Sequence, residues 1–495
     1  MNITYQSTRG GERGLTASQA ILKGLAVDGG LFMPDQIPQL DVSMGQLAKM
    51  SYQEIAYEVM KLFLTDFTEE ELKGCIARAY DEKFDCPEIA VLSKADGDYY
   101  LELYHGSTIA FKDMALSILP HLMTTAAKKN GVSNEIVILA ATSGDTGKAA
   151  MAGFADVPGT RIIVFYPKGG VSRIQELQMV TQKGDNTAVV AIHGNFDDAQ
   201  TGVKKIFGDR EFEKRLAAKG FQLSSANSIN VGRLVPQIAY YVYAYAKLLE
   251  NGEIADGETV NVTVPTGNFG NILAAYLAKR MGTPIGRLIC ASNGNKVLYD
   301  FFSTGVYDRE RPFILTSSPS MDILISSNLE RLIYLSCGCD EEKTAGLMEE
   351  LSRDGRYAVT EDMRAFMADF WGGYADEKEN ASVIQAVFRS CGYLMDTHTG
   401  VAAAVSRQYK RETGDERKML IASTASPFKF SGSVLEAIQG RLDGGDEFAV
   451  VDELSRISGV PVPAAVEEIR TAPVRHTREC SPEQMEEEVA DILGC

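Results

Sequence analysis

Glu135-Ile136-Val137-Ile138-Leu139-Ala140 runs without a break into Ala141-Thr142-Ser143-Gly144-Asp145-Thr146-Gly147-Lys148, and then into Ala149-Ala150-Met151-Ala152-Gly153-Phe154. A continuous apolar run of this length predicts a strand buried on both faces, as in a parallel sheet. The polar turn and the small-residue run after it predict a tight turn and the start of a helix. Backbone N–H groups and the helix dipole at such a junction attract an anion. A nucleotide P-loop is excluded: G-x-x-x-x-G-K-[ST] requires Gly at 142 and Ser or Thr at 149, where the chain has Thr142 and Ala149.

The same alternation extends in both directions. Further short strands are expected near Ile162-Ile163-Val164-Phe165, Ala188-Val189-Val190-Ala191-Ile192 and Phe221-Gln222-Leu223. Later ones are expected near Val262, near Leu288-Ile289-Cys290 and near Met419-Leu420-Ile421. Strands separated by helices predict an α/β fold of two doubly wound parallel-sheet domains. The expected division is a largely helical region over residues 1–100, a smaller α/β domain over 101–235 and a larger one over 236–495. A helical insert from Met321 to about Ser390 interrupts the last, and the acidic helix Glu483 to Leu493 is given a surface role only. The tyrosines of the apolar run Leu234–Leu249 are expected in the core of an amphipathic helix.

Two other stretches carry chemistry. His105-Gly106-Ser107-Thr108-Ile109-Ala110-Phe111-Lys112-Asp113 sets one lysine in a small-residue segment just before an apolar helical run. A partly desolvated lysine has a lowered pKa and condenses with carbonyls, although a lysine at a helix start is more often ordinary. Thr266-Gly267-Asn268-Phe269-Gly270-Asn271 follows the β-rich run Thr259–Pro265 and opens the apolar helix from Ile272. Its glycines let backbone N–H groups close around a phosphate. A reactive lysine with two anion turns suggests a phosphate-bearing cofactor and an anionic substrate.

Composition narrows the partners. The 495-residue chain carries 49 Lys and Arg against 67 Asp and Glu, a formal charge of −18, which argues against nonspecific nucleic-acid binding. An anionic substrate therefore needs a local cationic cluster. The eight cysteines are scattered, and Cys337-Gly338-Cys339 lacks the second pair a zinc site needs. Reduced thiols, a cytoplasmic location, no metal and no membrane segment are expected.

Taken together, the three loops resemble those of pyridoxal-phosphate enzymes of the tryptophan-synthase-β type (fold type II), and within that group those of threonine synthases. The resemblance includes Tyr5–Gly10, Gly24–Pro34, Ser172–Met179, Ala226–Arg233, Ser320–Arg331, Asp396–Gly400 and Ser423–Phe430. It implies a pyridoxal 5'-phosphate-dependent carbon-oxygen lyase that converts O-phospho-L-homoserine and water to L-threonine and phosphate. A monomer or homodimer is expected.

Roles follow from the resemblance. Lys112 would hold the cofactor as a Schiff base and, once displaced, act as general base and acid. Gly267, Asn268, Phe269, Gly270 and Asn271 would hold the cofactor phosphate through N–H groups, and Thr424 would face the pyridine nitrogen. Ser143, Gly144, Asp145 and Thr146 would form the substrate-carboxylate turn, with Asp145 orienting it through backbone donors. For the substrate phosphate, Arg233 stands first and Lys148 second. Asn195, Ser172, Gln175 and Asn230 are further candidates, each open to a plain helix-capping role. Several positions depart from the family pattern as Gly170, Arg173, Lys296, Thr397, Ser426 and Phe428. The same fold hosts phospholyases, serine/threonine dehydratases and catalytically dead relatives, so product identity decides among them.

Overall fold

In the computed structural model, which describes residues 2–142, 145–441 and 445–495, fifteen strands fall into four sheets. In chain order they are β1 (Tyr5–Ser7), β2 (Phe32–Pro34), β3 (Val91–Ala95), β4 (Asp98–Glu102) and β5 (Glu135–Ala141). Next come β6 (Thr160–Pro167), β7 (Thr187–Ile192), β8 (Phe221–Ser224), β9 (Val260–Pro265) and β10 (Ile285–Ser292). The last are β11 (Val306–Asp308), β12 (Arg356–Ala358), β13 (Phe370–Tyr374), β14 (Met419–Ser423) and β15 (Arg478–Cys480).

The smaller sheet has the order β15-β7-β6-β5-β8 and is parallel throughout. Its strands are apolar on both faces because both faces are covered. Ile136 and Ile138 enter the main core, while Val137 and Leu139 enter a second one with Ile163, Phe165 and Val190. The larger sheet runs β13-β10-β9-β14-β4-β3, parallel except for β3, which pairs antiparallel with β4.

The sheets do not respect the contiguous division expected from the sequence. β3 and β4 come from the end of the N-terminal region and complete the larger sheet, whereas β15, from the far C-terminal segment, joins β7 of the smaller one. The acidic helix Met485–Leu493 is also more than surface, because Met485, Val489, Ala490 and Leu493 close the second core. The segment expected to be a helical insert holds β12 and β13, and β13 forms the far edge of the larger sheet. Trp371-Gly372-Gly373 in β13 has too little apolar alternation to announce a strand.

The helix Val231–Glu250 packs between the N-terminal helices and the helix Gly270–Arg280, and Tyr240, Tyr241, Tyr243 and Tyr245 are buried, as their spacing predicts. No helix is long and apolar enough to cross a membrane among the described residues. The N-terminal strands are held by buried charge. Arg331, fully buried, donates to Phe32 O (3.1 and 3.0 Å) and Ile229 O (2.6 Å), and Arg9 pairs with Glu330 at 2.7 Å.

Candidate active site

β4, β14 and β9 are parallel neighbours, so the loops leaving their carboxyl ends share one edge, the side on which open parallel sheets bind ligands. The loop after β4 carries Lys112, that after β14 carries Thr424, and that after β9 is Thr266–Phe269. Main-chain bonds stitch the first two together: Phe111 N donates to Thr424 O (2.8 Å), Ser426 N donates to Ile109 O (3.0 Å), and Ala110 bridges Ala425. Asp113 folds the lysine loop back, accepting from Thr108 N (2.8 Å) and Thr108 Oγ1 (2.5 Å).

The β9 loop is shaped to receive an anion. Its carbonyls are occupied: Ser326 Oγ donates to Gly267 O (2.6 Å), and Asn328 Nδ2 and N donate to Asn268 O (2.9 and 3.1 Å). None of the N–H groups of Gly267 through Asn271 donates to a backbone carbonyl among the described residues. Phe269 adopts φ +64, the left-handed conformation that turns successive N–H groups toward one point. A Cβ on Gly267 would lie 2.4 Å from Ser320 O, so only glycine fits. The Tyr241 hydroxyl donates to Asn271 Oδ1, while Asn271 Nδ2 is buried with no partner among the described residues.

Charged side chains close in from the other direction. The Lys112 side chain is 12% exposed, and its Nζ donates to Ser320 Oγ (3.3 Å) and lies 3.6 Å from Asp145 Oδ2. Ser320 Oγ in turn donates to Asp145 Oδ2 at 2.9 Å, and Lys429 Nζ pairs with Asp145 Oδ1 at 3.1 Å. Burial pushes the Lys112 amine down; Asp145 opposes that, while Lys429 and Arg233 add to it. Burial pushes the Asp145 carboxyl up, but Lys429 and Lys112 hold it far below the ordinary carboxylate range. Lys148 and Arg233 are buried, and Lys148 Nζ and Arg233 Nε have no hydrogen-bond partner among the described residues. Burial drives the Lys148 amine well down and the Arg233 guanidinium to about 10. Arg233 spends one Nη on Ala226 O (3.0 Å).

The structure thus gathers Lys112, Thr424, Gly267–Asn271, Asp145, Lys148 and Arg233 at one place. The Asp145 carboxylate accepts from Ser320 and pairs with Lys429 and Lys112, while the Ser143–Gly144 backbone it was expected to orient lies outside the described residues. Ser143 and Gly144 lie outside the described residues, and Thr146 follows Asp145 in the first turn of the helix Asp145–Phe154. Asn195 is not gathered in. It is exposed and forms a capping box with Asp198 at the helix Phe196–Gly208. Ser172, Gln175 and Asn230 are likewise occupied in caps. Lys429, Ser320, His398 and Asp396 are site residues to which the sequence assigned no role. The signal available was a lysine, a serine and a histidine inside matching segments, without any indication that they meet.

Asp85, Cys86 and His105 also lie close enough together to share a metal ion. However, His105 Nδ1 is 2.6 Å from Asp85 Oδ1 and its Nε2 is 3.1 Å from Glu102 Oε2. Both ring nitrogens therefore carry protons and neither offers a lone pair. Burial works against that charge, but Asp85, Cys86 and Glu102 together prevail and the imidazole is pushed up to about 11.

A largely buried lysine at a sheet edge, beside a loop whose N–H groups are open to a phosphate, fits a pyridoxal-phosphate-dependent enzyme, and the family model for pyridoxal-phosphate dependent enzymes matches residues 88–424. Models for the threonine synthase N terminus and C-terminal region match residues 4–80 and 399–478. The chain belongs to the threonine synthase family. It is 38% identical over 473 residues to the threonine synthase of Schizosaccharomyces pombe, covering 89% of this chain and 90% of that one. The crystal structure of pyridoxal-phosphate-bound threonine synthase from Brucella melitensis superposes with a TM-score of 0.87 at 34% identity, over 100% of both chains. Threonine synthase-like 1 of Pongo abelii is 38% identical over 457 residues, 88% of this chain, and the chain spans 61% of that protein's length.

Proposed function

We propose that this chain converts O-phospho-L-homoserine and water to L-threonine and inorganic phosphate, with pyridoxal 5'-phosphate held at the carboxyl edge of the larger sheet. The observation that carries the reading is the largely buried Lys112 amine, one residue beyond the main-chain bond to Thr424, with the buried Lys148 Nζ and Arg233 Nε both lacking a hydrogen-bond partner among the described residues. Bound there, the cofactor supplies the electron sink that makes the α and β protons of the substrate removable.

The remaining work falls to side chains and backbone. The free N–H groups of Gly267–Asn271 fit the cofactor phosphate, and Lys112 anchors the cofactor covalently. Thr424 would offer its hydroxyl to the cofactor's ring nitrogen, and a hydroxyl, unlike a carboxylate, does not stabilise a positive charge there. The turn Ser143–Thr146 binds the substrate carboxylate, while Arg233 and Lys148 bind the substrate phosphate and stabilise it as it leaves Cγ. Lys112 would take the α proton and then a β proton of the substrate, and burial, which lowers its pKa, favours the neutral amine that a base requires. It then delivers protons back at Cγ and Cα, and water adds at Cβ. All eight cysteines are free, which suits a cytoplasmic setting.

Product analysis by NMR of purified protein with phosphohomoserine tests the proposal. Threonine and phosphate in equal amounts are expected. Release of 2-oxobutanoate and ammonia without threonine makes the chain a phospholyase, and no consumption of substrate overturns both readings.

A further inference from the structure

Lys112 is surrounded by more charge than an anchoring lysine requires. Asp145 on the helix Asp145–Phe154, Lys429 on the turn Pro427–Phe430, Arg233 on the helix Val231–Glu250 and Ser320 on the turn Pro319–Met321 all converge on it. Asp113 follows it in the chain, and Lys148 and His398 complete the ionisable groups around Asp145. An ionised aspartate this close to a lysine ordinarily locks it as an ammonium ion, useless as a nucleophile or base.

The geometry prevents that lock in two ways. Lys429 Nζ is nearer to Asp145, at 3.1 Å, than Lys112 Nζ is, at 3.6 Å, and its side chain is 1% exposed, so its charge is little screened. Lys429 is itself fixed by donating to Thr108 O at 3.1 Å. Ser320 Oγ meanwhile touches both groups, accepting from Lys112 Nζ and donating to Asp145 Oδ2, the carboxylate oxygen that faces the amine.

Ser320 cannot drift from that position. Its N–H donates to His398 Nε2 (3.1 Å), and its carbonyl presses on Gly267. Because His398 Nε2 accepts, the ring proton lies on Nδ1 and is donated to Asp396 Oδ2 (2.7 Å), a fully buried carboxylate that also caps the helix Thr397–Thr413. Thr397 Oγ1 donates to Ser317 O at 2.7 Å and fixes the approach to the turn.

We infer that Lys429 and Ser320 are positioning residues that keep Lys112 reactive, Lys429 by neutralising Asp145 and Ser320 by donating a hydrogen bond to Oδ2, the carboxylate oxygen facing the amine, which weakens its hold on the ammonium form. The inference rests on Lys112 being the cofactor lysine, and its test separates the two claims. Full-length protein freed of cofactor is mixed with pyridoxal phosphate at a series of pH values, and uptake is followed by visible absorbance. Only the neutral amine adds to the aldehyde carbon with loss of water, so the pH midpoint of the uptake rate reports Lys112.

Lys429→Met is expected to move that midpoint up by about one unit or more, Asp145→Asn to move it down, and Lys429→Arg to restore it. Ser320→Ala moves it up by less and covers the case in which Lys429→Met does not fold. Wild type that takes up no cofactor overturns the proposed function itself. Normal uptake with one shared midpoint in wild type, Lys429→Met and Ser320→Ala overturns this inference alone.

Discussion

On the larger sheet, the loops after β4 and β14 are joined by main-chain hydrogen bonds, Phe111 to Thr424 and Ser426 to Ile109, while Ser326 and Asn328 tie down the Gly267 and Asn268 carbonyls of the loop after β9 and leave its N–H groups open. On the opposite side, Asp145, Lys148 and Arg233 are single side chains on two helices, held by burial and with few hydrogen bonds. The difference assigns them different tasks. A cradle of main-chain donors suits a permanent occupant, because those donors are fixed by the path of the chain rather than by side-chain rotamers. Under-paired buried cations suit a ligand that arrives and leaves, since a binding anion supplies the partner they lack.

The largest effect is expected on the cationic side. Arg233→Ala should lower kcat/KM on the order of 10²–10³-fold, as loss of a charge contact to a leaving group does. Cofactor content should stay unchanged, and inorganic phosphate should inhibit the variant less than wild type. On the main-chain side, Gly267→Ala would place a Cβ 2.4 Å from Ser320 O, a strain of about 1–3 kcal/mol. That strain should appear as weaker cofactor retention on dialysis, with phosphate inhibition preserved. If the two variants produce the same phenotype, the division of labour between the two sides is wrong.

Two smaller effects mark the limits of the site. His105 lies between Asp85 and Glu102 with its pKa pushed up to about 11, so its charge stabilises the fold fully below about pH 6.5 and progressively less as pH rises toward 11. In urea unfolding, His105→Gln should lose about 1.5–3 kcal/mol at pH 6 and converge on wild type toward pH 11. Asn195→Ala should cost about 1 kcal/mol of stability from the lost helix cap and leave the KM for phosphohomoserine unchanged. A raised KM would return Asn195 to the substrate.

The same comparison explains what the sequence could reveal. The main-chain side was legible because buried strands and their terminal loops are local patterns: Glu135–Ala141, Val260–Pro265 and Met419–Ser423 are all strands in the structure. The loop-bearing Lys112, Gly267 and Thr424 needed only strand adjacency to meet. Lys429, Ser320 and His398 were not legible, because their partners are distant in the chain and nothing local distinguishes them from ordinary lysine, serine and histidine. The expected domain boundaries failed for the same reason. The pairings of β4 with β14 and of β15 with β7 span some 300 residues each, and β15 is only three residues long. For Asn195 the sequence left a substrate role and a helix cap both open, and its capping box with Asp198 is a local pattern that accounts for the residue without a ligand.

Three buried or largely buried amines, Lys112, Lys148 and Lys429, converge on Asp145, so the central claim is best tested by asking which of them holds the cofactor. Holoenzyme is reduced with borohydride, digested, and the pyridoxyl-bearing peptide identified by mass spectrometry, with Lys112→Ala treated in parallel. The label is expected on Lys112 alone, with the violet absorbance band absent from the variant and its activity lower by at least about 10³-fold. A label on Lys148 or Lys429, or an unchanged band in Lys112→Ala, would contradict the account.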